Sequence, residues 1–155
     1  MYNEIKGDLI SLAKQGKFDV ITHGCNCMCT MGAGIAVPMA QNFGCSLYPL
    51  EDLSTRGDIQ KLGQIEWKLY PLTIDKSIYV VNSYTQYYPN PLLKPLDYEA
   101  LTLCLRKINH IFKGKSVGLP QIGAGLAGGD WERIKNIIQT ELKDCDVTVV
   151  IYDKK

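Results

Sequence analysis

Apolar positions follow two alternating rhythms along the chain. Phe18 to Thr22, Ser77 to Tyr84 (around Ile78-Tyr79-Val80-Val81), Val117 to Pro120 and Val147 to Tyr152 are short β-rich runs that predict buried strands. Tyr2 to Ile5 alternates more weakly, and Gln64 to Leu69 sets Ile65, Trp67 and Leu69 on one face, the pattern of a half-buried strand. Between these runs the spacing widens to three and four. Leu101, Leu105, Ile108 and Phe112 make a helical stripe between Asp97 and Gly114, and Ile35, Ala36, Met39, Ala40 and Phe43 make another that stops at Gly44. Pro38 falls near the start of that helix, where a missing N–H costs little. Asp8 caps a short helix from Leu9 to about Gln15, and Asp130 or Gly129 starts one that runs to about Leu142. A short helix near Leu50 to Leu53, a turn at Gly57-Asp58 and an aromatic, proline-stiffened loop from Tyr87 to Pro91 complete the pattern. Strands alternating with helices predict one α/β domain with a largely parallel sheet, in which ligands collect beyond the carboxyl ends of the strands.

Composition narrows the picture. A chain of 155 residues with 46% hydrophobic and 21% charged residues suits one soluble core, and no apolar run nears the roughly 20 residues that span a bilayer. The net charge of +1 leaves no electrostatic footprint for duplex nucleic acid. The first residues lack a basic-then-apolar leader, so a reducing, cytoplasmic setting, six free thiols and a monomer are expected.

Two glycine-rich loops follow strands. Thr22-His23-Gly24-Cys25-Asn26 leads into Met31-Gly32-Ala33-Gly34-Ile35-Ala36, and Gly123-Ala124-Gly125-Leu126-Ala127-Gly128-Gly129 repeats the logic near the C-terminus. Glycines let a phosphate approach backbone N–H groups, which carry partial positive charge at helix starts. Two such loops in one small domain suggest a ligand with more than one phosphate. Neither is a dinucleotide fingerprint, since Val37 stands where the third glycine belongs, nor a Walker loop, since no Gly-Lys-Ser/Thr follows. Each also reads as a plain strand-to-helix turn.

The candidate chemistry lies at the shoulders of these loops. His23, at the end of a predicted strand, is either a structural histidine or a proton carrier near neutral pH. Asn26 either holds the loop or orients a hydroxyl or water. Asp130 reads first as a helix cap, and second as a carboxylate beside a phosphate loop. Asp8 is likewise a cap or an acceptor for an amino group, and Tyr152 is a core aromatic or a stacking surface for a base. Gln121 flanks the second loop, and Asn82, Tyr84 and Gln86 follow the central strand. Cys25, Cys27 and Cys29 lack zinc spacing and a second ligand pair, so no metal is expected.

Four blocks together resemble the macrodomains, α/β/α modules that bind ADP-ribose. They are Lys6-Gly7-Asp8-Leu9-Ile10; Ile21 to Cys27 with Met31 to Ala36; Leu119 to Trp131; and Val147 to Tyr152. The resemblance covers nearly the whole chain and implies a three-layer sandwich with a mixed, largely parallel central sheet. The His-x-Cys-Asn-Cys and Met-Gly-x-Gly-Ile-Ala patterns are most similar to the branch of ADP-ribose 1″-phosphate phosphatases and terminal ADP-ribose–protein glycohydrolases. The resemblance implies that Asp8 and Leu9 meet the adenine and Tyr152 lines its face. It also implies that Gly32, Ala33, Gly34 and Ile35 hold the diphosphate from one side and Gly123, Ala124, Gly125 and Leu126 from the other, with Ala36, Gln121 and Ala127 as further ligand-binding residues. Asn26 then lies near the distal ribose, with His23, Asn26 and Asp130 as catalytic candidates. The lysine of the glycohydrolase branch aligns near Tyr84 and its loop aspartate with Ala127, so that branch's covalent route lacks its nucleophile. The implied activity is therefore hydrolysis of ADP-ribose 1″-phosphate without cofactor or metal. The alternatives are a non-catalytic reader of ADP-ribose and a hydrolase acting on ADP-ribosylated protein or DNA.

Overall fold

Among the described residues of the computed structural model (1–31, 34–45, 56–90, 92, 94–125 and 127–152), six strands build one sheet. They are β1 (Tyr2–Gly7), β2 (Val20–Asn26), β3 (Ile65–Pro71), β4 (Ser77–Gln86), β5 (Ser116–Leu119) and β6 (Asp146–Tyr152). Their order is β1-β6-β5-β2-β4-β3, and every neighbouring pair is parallel except β3 with β4. The helices are α1 (Leu9–Lys14), α2 (Ala36–Phe43), α3 (Tyr98–Ile111) and α4 (Trp131–Glu141). None is long and apolar enough to cross a membrane.

Side chains alternate across a strand, so each buried run feeds two cores. Val20, Val81, Val117, Leu119, Val147 and Val149 pack with Leu101, Leu105 and Ile108 of α3 and Ile134 and Ile138 of α4. Ile21, Ile78, Val80 and Val150 turn the other way, onto Leu9, Ile10 and Ala13 of α1 and Met39 and Phe43 of α2. The result is the expected three-layer sandwich. At about 1.5–3 kcal/mol for each fully buried aliphatic side chain, these two cores hold the sheet. Gly118 is part of the packing: a Cβ there would lie 2.7 Å from the Phe18 ring.

The caps fall where the sequence places them. Asp8 accepts from the Ile10 N–H at 2.9 Å, Asp97 from Ala100 at 3.0 Å, and Asp130 from Glu132 at 3.1 Å. Gly44 closes α2 in the left-handed region, at φ +62. Two expectations change. β2 does not end at Thr22 but runs through His23, Gly24 and Cys25 to Asn26. β3 is an edge strand, and Trp67 and Leu69 are exposed rather than half-buried, with Trp67 meeting Phe112 edge-on. The expected helix near Leu50 to Leu53 lies outside the described residues.

Candidate functional site

The carboxyl ends of β1, β2, β4, β5 and β6 open onto a cleft with two adjoining lobes. One, of about 600 Å³, is lined by Asp8, Leu9, Ile10, Pro38, Ala124, Val150 and Tyr152. The other, of about 450 Å³, is lined by Gly24, Cys25, Asn26, Thr30, Ala36, Thr85, Gln86, Pro89, Gly123 and Ala127. Gly34, Ile35, Pro120, Gln121 and Gly125 line both and form the seam between them. The structure thus gathers residues from both glycine loops around one elongated space, while Gly32, Ala33 and Leu126 lie outside the described residues.

Local bonds fix the walls. The Cys27 N–H donates to the Gln86 and Tyr87 carbonyls at 3.0 and 3.1 Å, and the Gly57 N–H to the Cys27 carbonyl at 2.7 Å. The Tyr87 hydroxyl donates to the Gly57 carbonyl, completing a clasp behind the first loop. Within that loop the Asn26 amide donates to the Thr30 carbonyl at 2.9 Å and to its hydroxyl at 3.0 Å, so Asn26 holds the loop while lining the smaller lobe. The second loop folds on itself through the Gly129 N–H to the Gly123 carbonyl at 2.8 Å. Gly123 has φ +76, and a Cβ there would lie 2.8 Å from Leu96, so that loop position admits only glycine without strain. In the larger lobe, Tyr152 is 69% exposed at the end of the last strand, an open aromatic face rather than a core residue.

Two catalytic candidates are placed elsewhere. His23 is completely buried in the middle of β2, beneath the lobe rather than on its wall. Its Nε2 is 2.8 Å from the Asn82 Oδ1. The Asn82 amide nitrogen donates to the Cys45 carbonyl at 3.0 Å, so the Asn82 oxygen must accept and the His23 Nε2 carries the proton. His23 Nδ1 has no partner among the described residues. Burial lowers the imidazole pKa to about 4, although the Asn82 bond opposes this, so His23 is neutral and sealed at neutral pH. Local sequence placed it at the loop because Gly24 resembled a loop glycine. Gly24 instead makes room within the sheet, where a Cβ would lie 2.9 Å from Thr85 Oγ1 and 3.3 Å from Ile122. Asp130 is exposed, caps α4 and lines neither lobe.

Tyr84, where the glycohydrolase lysine aligns, is buried among Cys25, Cys27 and Cys29. Lys61 sits 4.5 Å over its ring and pairs with Glu66, and neither Tyr84 nor Lys61 lines the cleft. The β4 residues that do face the smaller lobe are Thr85 and Gln86. Thr85 and Thr30 were not singled out from the sequence, and Pro89 entered only as part of the Tyr87 to Pro91 loop; the period-2 alternation of β4 past Tyr84 was the available signal for Thr85. Among the described residues lining this lobe, Cys25 is the single titratable side chain, and burial pushes its thiol well up. The lobe is therefore neutral, built of amides, hydroxyls and backbone.

No protein-family model matches the chain. It is 34% identical over 155 residues to the uncharacterized 17.5 kDa protein in the tk-vs intergenic region of Enterobacteria phage T4, covering 96% of this chain and 95% of that protein. It is 29% identical over 148 residues to the human ADP-ribose glycohydrolase OARD1, covering 96% and 88% respectively. In three dimensions it matches the macrodomain of Mycobacterium tuberculosis DarG with a TM-score of 0.73, at 22% identity, over 100% of this chain and 99% of that one. With its six-stranded mixed sheet, two glycine loops and cleft on the carboxyl rim, the chain has the macrodomain fold.

Proposed function

We propose that the cleft binds ADP-ribose and that the protein hydrolyses ADP-ribose 1″-phosphate to ADP-ribose and phosphate. The observation that carries the reading is the pair of lobes joined at Gly34, Ile35, Pro120, Gln121 and Gly125. A ligand with a base at one end, a diphosphate in the middle and a sugar at the other fits that division. The base lies against Asp8 and Tyr152, the diphosphate crosses the seam, and the distal ribose enters the lobe of Asn26. The relative OARD1 is named an ADP-ribose glycohydrolase, which supports hydrolysis near the distal ribose.

The chemistry follows from what lines the smaller lobe. No carboxylate faces it among the described residues, so a phosphate at the sugar's 1″ position meets amides and backbone N–H groups without repulsion. Water adds to phosphorus as the bond to the anomeric oxygen breaks, and a proton from that water passes through a phosphoryl oxygen to the departing sugar. The protein's part is positioning and charge stabilisation, because His23 is sealed and Asp130 caps a helix. The same neutrality favours a second reading, a binder that catalyses nothing, since no described residue lining the lobe titrates near neutral pH. Incubating the protein with ADP-ribose 1″-phosphate and assaying inorganic phosphate, beside calorimetry on ADP-ribose, separates the two. Phosphate release supports the hydrolase, and binding without release supports the reader. Release of ADP-ribose from modified protein or DNA, with no free phosphate, would move the reaction to the glycosidic bond.

A further inference from the structure

Three hydroxyls occupy one face of the paired strands β2 and β4. The Thr22 hydroxyl is 2.7 Å from that of Ser83 and donates to the Val81 carbonyl at 3.1 Å, so the deeper two satisfy each other. The third, Thr85, stands at the smaller lobe. It is 1% exposed, and its Oγ1 has no hydrogen-bond partner among the described residues. Its backbone is not free to drift, because its carbonyl accepts from the Asp97 N–H at 2.9 Å where α3 begins. The absent side chain at Gly24 leaves room for this oxygen, which would lie 2.9 Å from an ideal Cβ there. Valine has the same shape as threonine and would fill the position without an orphaned hydroxyl. A buried polar atom left unpaired in a native fold calls for a partner that arrives later.

We infer that Thr85 is a ligand-binding residue of the smaller lobe, whose hydroxyl hydrogen-bonds a hydroxyl of the bound distal sugar. A sugar hydroxyl both donates and accepts, and so can complete a lone threonine hydroxyl in a neutral floor. An anionic phosphate is better met by backbone N–H groups of a glycine loop. The inference rests on the ADP-ribose reading and adds a specific contact to it.

Calorimetry on the wild type, Thr85→Val and Thr85→Ser against ADP-ribose and against ADP, which lacks the distal sugar, tests it. Thr85→Val should weaken ADP-ribose about fivefold and leave ADP unchanged, in line with the loss of one neutral hydrogen bond. Thr85→Ser should keep most of the wild-type affinity. The ligand-free Thr85→Val variant should melt no lower than the wild type, because it removes an unpaired polar atom. Wild-type affinity for ADP-ribose in Thr85→Val, or equal losses for both nucleotides, overturns the role of Thr85 while the ADP-ribose reading stands. A wild type that binds neither nucleotide overturns both.

Discussion

The burial of His23 makes stability depend on pH in a calculable way. The imidazole titrates near 6.5 when exposed and near 4 in the fold, because burial disfavours its charged form. Between those values the unfolded chain binds a proton that the folded chain does not, so stability rises with pH across the window. The contribution is fully present above about pH 6.5 and is lost as pH falls toward about 4. From about pH 7.5 to about pH 5 the loss works out at ~2 kcal/mol. His23→Gln removes the titration and keeps an amide able to reach Asn82. Urea unfolding of both proteins over that range gives a wild-type minus variant difference in which groups common to both cancel. The difference should fall by ~2 kcal/mol on acidification. A flat difference would mean that the ring is solvated and free to act in the lobe. The same variant separates fold from chemistry: it should retain ADP-ribose binding and, where phosphate is released, turnover within a few-fold.

Gly118→Ala sets a Cβ against three atoms of the Phe18 ring at 2.7–2.8 Å, and overpacking of this kind costs ~2 kcal/mol. Calorimetry should show a melting temperature lower by about 4–8 °C, and an unchanged value would mean that Phe18 moves aside freely. Asp130→Ala removes the α4 cap and should cost ~1 kcal/mol, with phosphate release and ADP-ribose affinity unchanged. Loss of turnover at full affinity would return Asp130 to the mechanism.

The elements that the sequence made legible are those governed by local rules. Asp8, Asp97 and Asp130 are caps because a short carboxylate reaches N–H groups two or three residues on. β6 reads as a buried strand because Val147 and Val149 serve one core and Val150 the other. What stayed hidden depends on distant partners. Gly24 has the local look of a loop glycine, yet its role is set by Thr85 and Ile122 on other elements, and with it His23 passes from strand end to strand interior. Trp67 and Leu69 alternate like half-buried residues, but topology sets β3 at an edge with no neighbour beyond it among the described residues. The division of the site into two lobes needed the strand order, which brings β1 and β6 to one end and β2 and β4 to the other.

The same dependence on parity decides the chemistry of the smaller lobe. Side chains alternate along β4, so Tyr84 and Thr85 face opposite sides of the sheet, and Tyr84 is held among Cys25, Cys27 and Cys29 while Thr85 and Gln86 reach the lobe. The register of β2 against β4 then shifts between Cys25 and Asn26, which sets Asn26 opposite Gln86 instead of Thr85. That irregularity brings an amide from each strand to the rim of the lobe with the Thr85 hydroxyl below. None of the three carries charge. A neutral floor of this kind holds a sugar by its hydroxyls. On the proposed reading, such a floor would leave bond cleavage to a substrate that already contains a labile phosphate.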